Sequence, residues 1–164
     1  DVANIVAWAK YPPEGDRGVA FGIAHTDYGD FRKLDGVKYT HQANAEILIV
    51  GQIETAKGVE NIDAILASGG LDAILIGPYD LSTSLGVSGQ LDHPLVVNSI
   101  EQVIAKAKEH HIVLGSYVND FESGKRWVDA GVQLIACGND AFLITCRFAE
   151  EGQKFRDYSG RKNR

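Results

Sequence analysis

The chain has little cysteine, no excess of basic charge and no long apolar run, and each shortage removes a class of protein. Only Cys137 and Cys146 occur among 164 residues, with no CxxC spacing. That excludes a disulfide framework or a cysteine-rich zinc site and predicts two reduced thiols. The formal net charge is −6, so no basic field attracts a phosphate backbone and nucleic acid is not an expected partner. No apolar stretch approaches the roughly 20 residues of a membrane span, so no membrane association is expected. No signal-peptide pattern opens the sequence, and the expected compartment is the cytoplasm. No solenoid-length repeat and no low-complexity linker divides the chain.

What is there is an ordinary globular composition, 45% hydrophobic and 23% charged, long enough for one domain with a sizeable core. Val2, Ile5, Val6 and Ala9 have helical spacing, stopped by Tyr11-Pro12-Pro13. Residues 14–39 are rich in Gly, Asp and Arg and read as a long ordered loop. A helix end at Ala45 runs into a strand, Ile47 to Val50, continuing to Glu54. Ile62, Ile65 and Leu66 mark a short helix ending at Gly69-Gly70, and residues 71–76 form a second strand. A Ser- and Gly-rich loop follows Asp80 as far as Gly89. Pro94 opens an amphipathic helix, residues 112–117 form a third strand, and Asp120 caps a helix carrying Trp127. Residues 132–136 are a fourth strand, residues 140–156 a last helix, and the polar tail from Ser159 to Arg164 is expected to fray.

Four strand–helix repeats with strands apolar on both faces predict an α/β fold, a parallel sheet covered by helices. Four repeats are about half of the eight that close a (β/α)8 TIM barrel of ~250 residues. The first helix has no room for an upstream cap. The expected domain is therefore residues 1–164 as a single partial barrel, the C-terminal half of a (β/α)8 barrel whose N-terminal strands are absent from this chain. A self-sufficient four-stranded sandwich is the other architecture.

Two carboxylates stand out. Glu54 and Asp80 each end an apolar run, 26 positions apart, which is one strand, one helix and the return to the next strand. Equivalent points on neighbouring parallel strands then carry two hard oxygen ligands at the carboxyl rim, where α/β folds place their chemistry. Gln52 and Glu54 share a face, being two apart. Mg²⁺ or Mn²⁺ takes few protein carboxylates and keeps open positions for water and substrate oxygens. The turn Gly77-Pro78-Tyr79-Asp80 offers backbone N–H groups to a small anion, so a carboxylate-bearing substrate would chelate the metal while those amides and Gln52 hold its other end. A lone acid at a strand end is otherwise often a helix cap or an ion-pair partner.

The runs Tyr11-Pro12-Pro13-Glu14-Gly15-Asp16-Arg17-Gly18, Gln52-Ile53-Glu54-Thr55, Gly77-Pro78-Tyr79-Asp80-Leu81-Ser82 and Asp92-His93-Pro94, in that order, resemble the HpcH/HpaI aldolase family. Its members include 4-hydroxy-2-oxoheptanedioate and 2-dehydro-3-deoxyglucarate aldolases. The resemblance covers roughly residues 1–150; the combination is specific and no single run is. It implies a (β/α)8 barrel and a divalent-metal aldol reaction on a pyruvate enolate. Glu54 and Asp80 would be the ligands of Mg²⁺, Mn²⁺ or Co²⁺; Gln52 would contact the keto acid, and Gly77 with the backbone of Tyr79 and Asp80 would hold its carboxylate. Tyr79 departs from the small residue some members have there. The family's acid–base histidine and enolate-steadying arginine would lie upstream of this chain. His110-His111 closes a helix and His93 precedes a helix start, both structural readings; His25 is the one histidine to test as a stray base, and Arg17 reads as a loop anchor.

The expected function is a metal-dependent class II aldolase, a carbon–carbon lyase that cleaves or forms 2-keto-4-hydroxy acids. The alternatives are a CoA-ester lyase of citramalyl- or malyl-CoA type and a non-catalytic fragment that binds metal and keto acid. The expected partners are a small-molecule keto acid and an aldehyde, and the resemblance implies a homo-oligomer.

Overall fold

Four apolar segments separated by helical ones pair as a parallel sheet in the order β1-β2-β3-β4, in the computed structural model describing residues 1–162. The strands are β1 Val50–Ile53, β2 Ala73–Ile76, β3 Val113–Val118 and β4 Leu134–Cys137. The helices are α1 Val2–Ala9, α2 Gly36–Glu46, α3 Ala56–Glu60, α4 Ile62–Ala67, α5 Pro78–Ser84, α6 Pro94–Glu109, α7 Phe121–Asp129 and α8 Asp140–Lys162. Across the sheet Gln52 faces Leu75, Leu75 faces Gly115 and Gly115 faces Leu134. Parallel neighbours need helical crossovers, which is why every strand is followed by a helix.

One face of the sheet is covered. Ile53, Ile74, Ile76, Leu114 and Val118 pack with Ile62 and Leu66 of α4, Leu81 of α5, Val103 and Ala107 of α6 and Trp127 of α7. Burying each such aliphatic side chain stabilises the fold by ~1.5–3 kcal/mol. Pro94 and the His93 ring start α6, Nδ1 accepting from the Leu95 N–H at 3.2 Å. Asp120 starts α7 through a reciprocal pair with Ser123, its carboxylate accepting from the Ser123 N–H at 2.8 Å. Those backbone and side-chain hydrogen bonds from Ser123 hold the Asp120 carboxyl below its ordinary pKa.

The expected α/β architecture is present, with local differences. β1 is not apolar on both faces: Gly51 and Ile53 are buried while Val50 and Gln52 are exposed. It also starts at Val50 rather than Ile47, because the Ile49 N–H is taken by the Asp72 carboxylate at 2.7 Å. The expected loop over residues 14–39 gives way to α2 at Gly36, capped by Asp35. The one buried residue of α2 is Asn44, whose amide clamps the Tyr11 backbone at 2.7 and 2.9 Å, so no apolar period announces this helix. The expected loop after Asp80 begins as α5, seven residues held by burial of Leu81 and Ser82. α8 continues through the expected frayed tail to Lys162, laced by Arg147–Glu151 and Lys154–Glu151 pairs at 2.8 Å; residues 163 and 164 lie outside the described residues. Both cysteines are free thiols. Among the described residues no helix is long and apolar enough to cross a membrane.

Candidate functional site

Side chains two apart on a strand share a face, so Gln52 and Glu54 project together from the open face of the sheet. The Gly77 N–H donates to the Ile53 carbonyl at 3.1 Å, which sets Gly77 beside Glu54 just past the ends of β1 and β2. A Cβ on Gly77 would lie 3.0 Å from Glu54 Cβ, 3.1 Å from Gln52 Nε2 and 3.1 Å from Glu54 Oε2. Gln52, Glu54 and Gly77 therefore meet at one point, and only glycine leaves it open. Carrying the register one step past Ile76 and Ser116 brings Tyr117 beside Gly77, and Tyr117 in turn faces Ala136.

Asp80 stands in the first turn of α5, three residues beyond Gly77, with Pro78 at the helix start. The first-turn N–H groups of Tyr79 and Asp80 have no acceptor within the helix and point ahead of it. The Tyr79 carbonyl is occupied, accepting from Ser82 Oγ at 2.6 Å and Thr83 Oγ1 at 3.1 Å. Ser82 Oγ in turn accepts from the Gly89 N–H at 2.8 Å, which pins the segment that follows. Ser84 Oγ accepts from the Ala56 N–H at 3.0 Å. That bond ties the end of α5 to the start of α3, so the segments carrying Asp80 and Glu54 are fixed to each other.

The ordinary reading of Glu54 as a helix cap fails, because Thr55 caps α3 by accepting from the Gly58 N–H at 3.0 Å. Among the described residues, no ion pair includes Glu54 or Asp80. Nor do three or more His, Cys, Asp or Glu side chains cluster as a self-sufficient metal cage. Glu54 and Asp80 each offer a carboxylate, one beside Gly77 and one in the first turn of α5, and Gln52 an amide, hard donors whose chemistry fits Mg²⁺, Mn²⁺ or a similar divalent ion and does not fit structural zinc.

Two histidines serve the ends of α6. His93 caps α6, and His110 ends it with Nε2 3.1 Å from Asp63 Oδ1. Lys106 reaches the same Asp63 oxygen at 3.0 Å; these two bonds, Lys106 first, hold the Asp63 carboxyl below its ordinary pKa. The His25 ring packs against Tyr39, 6.0 Å between centroids. Arg17 lies over the Tyr11 ring at 4.7 Å and is the loop anchor expected.

Sequence reasoning did not find the cleft beside this site, between the β2–α5 turn and α7. Pro78, Tyr79, Leu91, Tyr117, Asn119, Ser123 and Arg126 line it. The two-residue period of β3 was a signal for Tyr117; nothing local joins Arg126 to Tyr79, because three distant segments build the cleft.

The family model for HpcH/HpaI aldolase/citrate lyase matches residues 1–145. A 5-keto-4-deoxy-D-glucarate aldolase of Salmonella newport is 36% identical over 140 residues, 85% of this chain and 53% of that protein. The chain thus spans about half the length of the curated relatives it matches. An HpcH/HpaI aldolase structure from Desulfitobacterium hafniense superposes with TM-score 0.77 at 36% identity, covering 92% of this chain and 57% of that one. A family structure from Burkholderia cenocepacia superposes with TM-score 0.82 at 30% identity, covering 94% and 60%. With four parallel strand–helix units that correspond to a portion of such a barrel, this chain belongs to the HpcH/HpaI aldolase/citrate lyase family.

Proposed function

We propose that this rim is the metal and keto-acid side of a class II aldolase, a carbon–carbon lyase that releases pyruvate from 2-keto-4-hydroxy acids. The observation that carries the reading is the convergence of Gln52 and Glu54 on the bare backbone of Gly77. Glu54 and Asp80 would hold the divalent ion, which supplies Lewis-acid stabilisation of charge on the keto oxygen. Gln52 orients the keto acid from the open face of β1. The N–H groups of Tyr79 and Asp80 bind its carboxylate, and that contact needs no particular side chain at Tyr79. None of the five histidines lies on a strand, so no histidine stands on β1–β4 to transfer the proton. The names of the relatives support an aldehyde as the second product.

A CoA-ester lyase needs several cations for the CoA phosphates, whereas Arg126 is the single cation lining the rim cleft. Phe148 and Phe155 lie exposed on α8, which supports a homo-oligomer.

The test is Glu54→Ala in the intact enzyme. Divalent-metal-dependent pyruvate release from a 2-keto-4-hydroxy acid is expected to vanish while circular dichroism stays unchanged. Unchanged turnover would refute the assignment.

A further inference from the structure

We infer that Tyr117 is a specificity residue for the keto acid. Its hydroxyl pairs with a hydroxyl group on the third carbon, so the site prefers a 3-hydroxy-2-keto acid such as hydroxypyruvate to an alkyl homologue of similar size. The inference rests on the aldolase reading for the way the keto acid lies, and on the strand register for the place of Tyr117. Leu114 and Val118 enter the helix-covered core, so Tyr117, one residue before Val118, belongs to the opposite face of β3. The register that pairs Ile76 with Ser116 puts it level with Gly77, and Glu54 stands on the other side of Gly77. Adjacent strands are about 4.8 Å apart, so two spacings, about 10 Å, separate the backbones under Glu54 and Tyr117, with no side chain between them.

The row one step back from the rim is closed, whereas the rim row is not. A Cβ on Gly115 would lie 3.2 Å from Leu75 Cδ1 and 3.3 Å from Leu134 Cβ, so leucines fill the open face there. The atoms nearest a Cβ on Gly77 belong to Glu54 and Gln52, and none of them to Tyr117, which leaves the interval between Glu54 and the phenol as a slot. In the proposed site the carboxylate and keto oxygens of a 2-keto acid turn toward Glu54, Asp80 and the first-turn N–H groups of α5. Its third carbon then points the other way, across Gly77 to Tyr117. Tyr117 is half-buried, and its phenol both donates and accepts. In the row Glu54, Gly77, Tyr117 and Ala136 it is the one neutral hydrogen-bonding side chain. A site that pairs its hydroxyl with a substrate hydroxyl rejects the analogue that leaves it unpaired. An alkyl group at the third carbon offers it no partner.

The experiment uses the intact enzyme loaded with Mg²⁺ and two keto acids of similar size, hydroxypyruvate and 2-oxobutyrate. In the first arm each is titrated calorimetrically without an aldehyde, so no turnover intervenes. The wild type is expected to bind hydroxypyruvate about tenfold more tightly than 2-oxobutyrate. Tyr117→Phe is expected to bring the two affinities within about threefold, with an unchanged urea midpoint. A wild type that binds the two equally, or binds neither, overturns the proposal, as does a preference that Tyr117→Phe leaves intact. In the second arm the two keto acids are compared by kcat/KM in addition to glyceraldehyde. Tyr117→Phe is expected to lower their ratio about tenfold, chiefly through the KM for hydroxypyruvate, and Tyr117→Leu to do the same. Equal losses on both keto acids overturn it by showing a structural role. If neither adds to the aldehyde while the calorimetric preference and its loss in Tyr117→Phe hold, the aldolase reading falls and the Tyr117 contact stands. If Glu54→Ala abolishes turnover while Tyr117→Phe keeps the preference, the Tyr117 contact falls and the aldolase reading stands.

Discussion

On the helix-covered face of the sheet, Ile53, Ile74, Ile76, Leu114 and Val118 are buried in one apolar cluster. On the opposite face Val50 and Gln52 are exposed, and the row nearest the carboxyl rim carries Glu54, Gly77 and Tyr117. The same strands supply both sets by alternation, so a residue's neighbours in sequence say nothing of its task and its parity says nearly everything. Stability resides mainly on one face and the proposed chemistry on the other. That division is open to attack by substitution.

The largest expected effect is on the open face. Glu54→Ala should cost at least about a thousandfold in turnover, the several kcal/mol that a lost metal ligand implies, with a urea midpoint close to wild type. Ile74→Ala reverses the pattern. Ile74 is 0% exposed, and its truncation should remove ~2–5 kcal/mol from urea unfolding while the surviving folded fraction keeps its specific activity. Gly77→Ala lies between the two. A methyl group 3.0–3.1 Å from Glu54 and Gln52 should lower kcat/KM about tenfold, yet shift the urea midpoint less than Ile74→Ala does. Equal loss of activity and stability in all three would abolish the distinction between the faces.

Smaller effects sharpen it. Asp120→Ala removes the reciprocal cap of α7 and should lower stability by ~1 kcal/mol, read as a drop in Tm. The smallest concerns Asp63 on the helical side. Its pKa is depressed in the folded state by Lys106 and then His110. It therefore stabilises the fold above the ordinary carboxylate value, and the contribution is lost as pH falls through the depressed one. Wild type and Asp63→Asn should differ slightly in urea midpoint at neutral pH and converge at acid pH; a difference that grows on acidification would contradict the assigned partners.

The parallel order was legible because apolar segments of strand length alternate with helical periods. The pairing of Gln52 and Glu54 was legible because a strand repeats every two residues. What was not legible lacks a period. α2 is held by Asn44 and its polar clamp on Tyr11, a contact 33 residues apart that no window along the chain contains. α5 is short and rich in Ser and Thr, and its stability comes from Leu81 and Ser82 entering a core built elsewhere. Arg126 carries no signal in the sequence, because only the fold brings it to the cleft that Tyr79 and Asn119 also line.

The absence of a side chain at Gly77 has a further consequence for how such a protein can change. A wall made of peptide groups offers selection almost nothing to vary, because any added carbon displaces the acid and the amide next to it. The wall of the proposed site is thereby fixed. A new preference has to be written in side chains that stand away from Gly77.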